Sequence, residues 1–232
     1  MKKIIPLLFL FIISCSKNED SVTNNPNGTL VDRDGNTYNT LKIGNQTWML
    51  ENLKTTKYND GTPIPKYEFP ITLNSTAYYQ WANTEDLNNV FLEDLPFDYY
   101  GAMYNDNVLE SGKLAPSGWR IPNKQDFGIL ENYLKTHGFN DSEGKALKSK
   151  TGWHRALFGN DNDAIGFKGL PNGYVDIFGT SIASEIICTW ATSNKNLGNF
   201  SRTVVNLVND ENTIIYSEND INMGAGVRCI KE

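Results

Sequence analysis

The sequence predicts an α+β fold in which short antiparallel strands surround one main helix. Three observations carry this expectation. Apolar segments before residue 50 are cut by the turn dipeptides Asp34-Gly35 and Gly44-Asn45. One stretch, from Asn123 to His137, has a cap, helical spacing and a closing glycine. Beyond Trp153 come short apolar segments separated by Gly, Asn, Asp or Ser, the punctuation of an antiparallel sheet. Strands, then a helix, then strands again separate the two element types along the chain, as α+β folds do.

The elements follow in order. Lys2 and Lys3 precede an apolar run from Ile4 to Ile13, and Ser14-Cys15 closes it. That is a charged region, a short apolar region and a processing site. The run is about half the roughly 20 residues that a membrane-spanning helix needs. Residues 1–15 therefore read as a signal peptide, and Ile12-Ile13-Ser14-Cys15 resembles the bacterial lipobox, which implies lipidation of Cys15. An acyl-modified cysteine carrying more than one chain anchors firmly, where a single chain holds only marginally. Residues 16–28 are polar and aperiodic and read as a disordered tether. Within it, Glu19 and Asp20 resemble the acidic export signal of surface lipoproteins in Bacteroidetes, although a solvated linker reads the same way.

Residues 29–232 form the remaining domain. Leu30, Val31, Tyr38, Leu41, Ile43, Trp48 and Met49 mark strands of a meander. Asp60-Gly61, Pro63 and Pro65 mark a loop, and 67–100 reads as mostly irregular. The main helix spans about 123–137, with Asn123 as N-cap and Phe127, Leu130, Tyr133 and Leu134 on its apolar face. A second short helix is expected over 142–149 with a thin apolar face. Strand candidates follow at 166–170, 174–178, 182–192, 202–208, 213–216 and 226–230.

Charge narrows the partners. The formal net charge of −6 becomes −8 once the two signal lysines are gone. An acidic surface disfavours nucleic acid and anionic lipid, which need clustered Lys and Arg. Cys188 and Cys229 are the remaining thiols, and in an exported chain they are either a disulfide or two separately buried thiols.

Four stretches carry a resemblance. "DGNTYNTLKIGNQTWMLENLKTTKYNDGTPIP" (34–65), "YYGAMYN" (99–105) with "SGKLAPSGWRIP" (111–122), "GFKGLPNGY" (166–174) and "GVRCI" (226–230) resemble, in order, the Fibrobacter succinogenes major paralogous domain of exported proteins in Bacteroidetes and Fibrobacteres. By resemblance that family is similar in fold to C-type lectin-like domains and to the formylglycine-generating enzymes. It implies short twisted antiparallel sheets with long loops. Many of its members carry a cysteine where this chain has Ala115, one that pairs with the cysteine at Cys229; the resemblance then leaves Cys188 as the candidate replacement partner. The active-site cysteine pair of the formylglycine-generating enzymes has no matching motif here.

Residues that bear chemistry are few. His137 lies at the end of the main helix, where a cationic ring suits the helix dipole, and His154 reads as a loop residue. Asp161, Asn162 and Asp163 are a weak calcium candidate of oxygen ligands, although a solvated turn explains them as well and no EF-hand spacing is present. Tyr78, Tyr79 and Trp81 are ligand-binding candidates, since exposed aromatics stack on sugars or anchor protein partners; packing of a long loop is the competing reading. Trp48, Trp119, Trp153 and Trp190 are assigned to the core. No nucleophile, base and orienting group stand together in a recognisable motif, and no cofactor is expected apart from the calcium candidate. The sequence thus reads as an outer-membrane lipoprotein with a non-catalytic binding or adhesion module for an extracellular glycan or protein. An enzyme of unknown reaction on the same scaffold is the alternative.

Overall fold

The computed structural model describes residues 26–67, 76–82, 84, 95–153, 162–196, 198 and 200–232. Cys15, Glu19, Asp20, His154 and Asp161 lie outside the described residues, as does nearly all of the tether. The described chain is mixed α and β, mostly short antiparallel sheets with few helices.

The expected meander forms as β1 (Pro26–Val31), β2 (Thr37–Ile43) and β3 (Gln46–Met49). They join β12 (Ile230–Lys231) and β6 (Trp119–Arg120) in a five-stranded sheet ordered β1-β2-β3-β12-β6. A second sheet, ordered β11-β10-β9, comprises β9 (Ile187–Lys195), β10 (Ser201–Val208) and β11 (Ile215–Asp220). Two small pairs complete the β structure: β4 (Tyr79–Trp81) with β5 (Ala102–Tyr104), and β7 (Tyr174–Val175) with β8 (Ser181–Ile182).

Because side chains alternate along a strand, each sheet feeds two cores. Leu41, Ile43, Trp48, Cys188, Trp190, Val205 and Ile230 enter one cluster, which helix α2 (Lys124–Leu134) covers with Phe127, Leu130 and Leu134. Tyr38, Met49, Ala191, Val204, Val227 and Cys229 enter the other, covered by β5, Ile64 and α1 (Asp106–Glu110). Fully burying one such apolar side chain contributes about 1.5–3 kcal/mol, so α2 is held chiefly by this face.

Asn123 caps α2 through a complete capping box with Asp126. The helix then widens into a single π turn over Lys135–Phe139, closed by Gly138 at a φ of 93°. His137 stacks on Tyr133 at 3.9 Å, and its Nδ1 lies 2.7 Å from the Tyr133 carbonyl oxygen. The second expected helix is α3 (Glu143–Leu147); the face that looked thin buries Ala146 and Leu147 completely.

The structure departs from the sequence reading in several places. The segment 166–170 is not a strand. Its Phe167 and Lys168 carbonyls accept from the Arg228 guanidinium, which leaves only an isolated parallel bridge of Gly169 with Lys148. The segment 182–192 divides at a turn in which Ala183 and Glu185 have φ values of 57° and 69°. Gly173 lies against this turn: a Cβ there would lie 2.2 Å from the Ile182 carbonyl oxygen, so the two segments can approach this closely only through glycine. Helix α1 was not foreseen, and Trp119 is half-exposed rather than core.

Cys188 and Cys229 are both free and buried, and they belong to different cores, so of the two readings the separately buried thiols hold and the candidate disulfide does not. The parallel bridge of Trp190 with Gly226 sets Cys188 near residue 224. Cys229 then lies five residues further on, ~15 Å of extended chain, against the ~7 Å limit between bonded Cα atoms. Burial pushes the Cys229 thiol up to about 12 and raises Cys188 as well, so both act as small apolar residues.

Candidate binding groove

The loop from Ser111 to Gly118 is shaped by hydrogen bonds at both ends. Ser111 Oγ donates to the Val108 carbonyl at the end of α1 and accepts from Lys113 N–H at 3.1 Å. Lys113 pairs with Asp60 at 2.8 Å, while Asn59 N–H donates to the Lys113 carbonyl and Asn59 Nδ2 to the Ala115 carbonyl. Trp119 N–H donates back to Pro116, closing the turn into β6. These contacts fix the loop's path while Leu114 anchors it in the second core.

A groove of about 630 Å³ opens beneath it, floored by Leu109, Leu114 and Ala115 and walled by Trp119, Asn123 and Ser193. A second hollow of about 330 Å³ adjoins it through Asn59, Leu114, Pro116 and Ser117 and extends to Val31, Asp32 and Arg33. Both volumes fall in the ~300–1,000 Å³ range of ligand sites. Ser193 reaches the wall because β9 bulges there. The register between β10 and β9 shifts between Arg202 and Val204, and Ser193 N–H donates to the Pro122 carbonyl.

Most charged groups of this groove have fixed partners. Arg120 makes a bidentate pair with Asp126 at 2.6 and 2.8 Å, and Asn123 N–H donates to the same carboxylate at 2.7 Å. Burial works to raise the Asp126 pKa, but these hydrogen bonds outweigh it and hold the carboxyl below its ordinary range. Asp32 accepts from Asp34 N–H, Asn36 N–H, Asn36 Nδ2 and Tyr38 Oη. Lys57 pairs with Asp34 at 3.0 Å. Besides these, the groove offers solvent amide, hydroxyl, indole and main-chain groups, the exposed Arg33, whose Nε donates to the Asn59 carbonyl at 2.7 Å, and the exposed Glu232 carboxylate, which has no ion pair among the described residues.

Most of the residues that build the groove and the two cores lie in one continuous match: the model of the Fibrobacter succinogenes major domain fits residues 41–231. The chain belongs to that family. No curated protein matches the chain. No solved structure matches it.

Within this Fibrobacter succinogenes major domain, the residues singled out from sequence do not come together. Tyr78 and Tyr79 are buried: Tyr78 Oη donates to the Asn222 carbonyl at 3.1 Å, and Tyr79 packs in the second core. That takes both out of the ligand-binding set. Trp81 is half-buried, with its ring edge-on to Tyr79 at 5.4 Å and to the exposed Phe97 at 5.1 Å. Asn162 Oδ1 accepts from Ala164 N–H and Asp163 Oδ1 from Lys168 N–H, so both side chains close turns. Burial raises the Asp163 pKa, which further disfavours a charged cation ligand. Among the described residues no group of three or more His, Cys, Asp or Glu is placed to hold a metal ion, and no helix is long and apolar enough to cross a membrane.

Sequence reading missed the groove because its walls come from positions 59, 109–123 and 193. The signal that pointed toward it was Trp119, a large aromatic between Gly118 and Arg120 in a stretch of Gly, Pro and Ser.

Proposed function

We propose that this chain is an envelope lipoprotein, lipidated at Cys15 and held at the outer membrane through that anchor, whose domain is a non-catalytic, surface-associated binding module. The scaffold is read as C-type lectin-like, and the groove beneath Ser111–Gly118 is its recognition site for an extracellular glycan or protein. The observation that supports this most is the state of the groove's charges. Asp32, Lys57 and Arg120 are each committed to fixed partners, which suits recognition by shape and hydrogen bonding. Proton transfer would need a carboxylate or imidazole held against substrate, and Glu232, a lining carboxylate without an ion pair among the described residues, is exposed and not held by any such partner.

The anchor and the site are tested separately. Labelled palmitate is expected to enter the wild-type protein and not Cys15→Ser; equal labelling of both would remove the anchor. For the site, Ser117→Trp fills the groove from an exposed position. A glycan array and a panel of extracellular proteins are expected to show ligands of the wild type that the variant fails to retain. Retention of every ligand by the variant would place recognition elsewhere.

A further inference from the structure

The groove runs along an unpaired sheet edge. Glu232 N–H donates to the Gly118 carbonyl, and Ile230 pairs with Arg120, so Gly118 and Arg120 turn their main-chain groups toward β12. By strand alternation, Trp119 and Ile121 turn theirs the other way, toward the groove. Trp119 N–H is taken by Pro116, and the Pro122 carbonyl by Ser193. Between these two closures the Trp119 carbonyl and the Ile121 N–H have no hydrogen-bond partner among the described residues. Both residues are half-exposed, so solvent reaches this gap.

We infer that the groove binds an extended peptide by strand addition, with the peptide running parallel to β6 and one of its residues seated opposite Arg120. In a parallel ladder one residue donates its N–H to the residue before its opposite number and accepts from the residue after it. Here those are the Trp119 carbonyl and the Ile121 N–H. One residue of an extended chain turns its own N–H and C=O to the same side at the spacing of this gap, and the backbone holds that pair in fixed register. Leu109, Leu114 and Ala115 then lie beneath the alternate side chains of the added strand, the arrangement by which strand addition gains specificity. The fourteen-residue stretch from Leu109 to Pro122 supplies both edge and floor. The inference rests on the reading of the groove as a recognition site and names its ligand class.

The test uses detergent-solubilised full chain to select from a displayed library of random twelve-residue peptides, followed by synthesis of the tightest binder. Each amide of that peptide is N-methylated in turn. Loss of about tenfold or more in affinity at the residue facing the Trp119 carbonyl is expected, with little change at its two neighbours, whose N–H groups point away. The unmodified binder is expected to lose affinity for Ser117→Trp by a similar factor, with the variant's melting temperature unchanged. A methylation profile without this alternation, or a binder indifferent to Ser117→Trp, overturns strand addition. Glycan binding that Ser117→Trp abolishes, with no peptide selected, overturns the peptide class and leaves the recognition site standing. If neither peptides nor glycans bind, both readings fall.

Discussion

The surroundings of Arg228 and the edge of β6 treat polar groups in opposite ways. Arg228 is fully buried, its guanidinium lying 4.8 Å from the Phe167 and Trp190 ring centres. The Asn52 carbonyl oxygen accepts from its Nε and Nη2 as well as from Trp190 Nε1, and the Phe167 and Lys168 carbonyls accept from its remaining arms. No carboxylate forms a salt bridge with it among the described residues, so burial pushes its pKa down to about 10, still well above neutrality. In the interior every available partner is enlisted to keep a charge buried. At β6, half-exposed main-chain groups are left for water. Around the buried guanidinium every arm has a partner, whereas the β6 edge leaves two main-chain groups open.

The contrast can be broken most forcefully at Arg228. Arg228→Met roughly keeps the volume but orphans the Phe167 and Lys168 carbonyls and leaves Asn52 Oδ1 with Trp190 Nε1 alone, and a loss of about 3–5 kcal/mol in denaturant unfolding is expected. A loss below ~1 kcal/mol would show that the interior is not held this way. Arg202 is a second buried guanidinium that uses carboxylates instead, pairing with Asp106 and Glu110 beside Lys195. Arg202→Met leaves Asp106 buried against Lys195 alone, and about 3 kcal/mol is expected to be lost, because removing one partner of a buried pair strands the other. The two substitutions together separate neutral from ionic support of a buried cation.

A smaller effect is expected at the groove wall, with a dependence on pH. The folded-state pKa of Asp126 lies below its ordinary value of 3.8, so the ionised form favours the fold. That contribution is complete above pH ~4 and drains as pH falls through the lower, folded value. Asp126→Asn is expected to cost about 1–2 kcal/mol at neutral pH, through the capping box and the Arg120 pair, and to flatten the fall of melting temperature below pH ~4. An unchanged acid limb would assign that limb to other carboxylates. Least of all should change with Ser193→Trp. Its exposed side chain has no hydrogen bond among the described residues, so unfolding free energy should stay within ~0.5 kcal/mol. A larger loss would mean that the groove is structural.

What was legible in the sequence was local. The β1–β3 meander follows from two turn dipeptides, and α2 follows from a cap whose partner stands three residues away. What was not legible depends on distant partners. Residues 166–170 carry a strand-like apolar pattern, but Arg228, some 60 residues on, takes their carbonyls. Asn52 reads as a loop residue until Arg228, 176 positions later, is placed beside it. Helix α1 is five residues long and too short for periodicity to register, although Asn105 caps it. The disulfide reading failed for the same reason, since spacing in sequence says nothing about which core each cysteine enters.

Amide hydrogen exchange on the ligand-free chain tests the open edge directly, because Arg120 and Ile121 are neighbours whose N–H groups face opposite ways. Slow exchange is expected at Arg120, whose N–H points at β12, and fast exchange, close to that of an unstructured amide, at Ile121. Equal protection at both positions would mean that the edge is already filled, and the groove would then have no main chain left to offer a ligand.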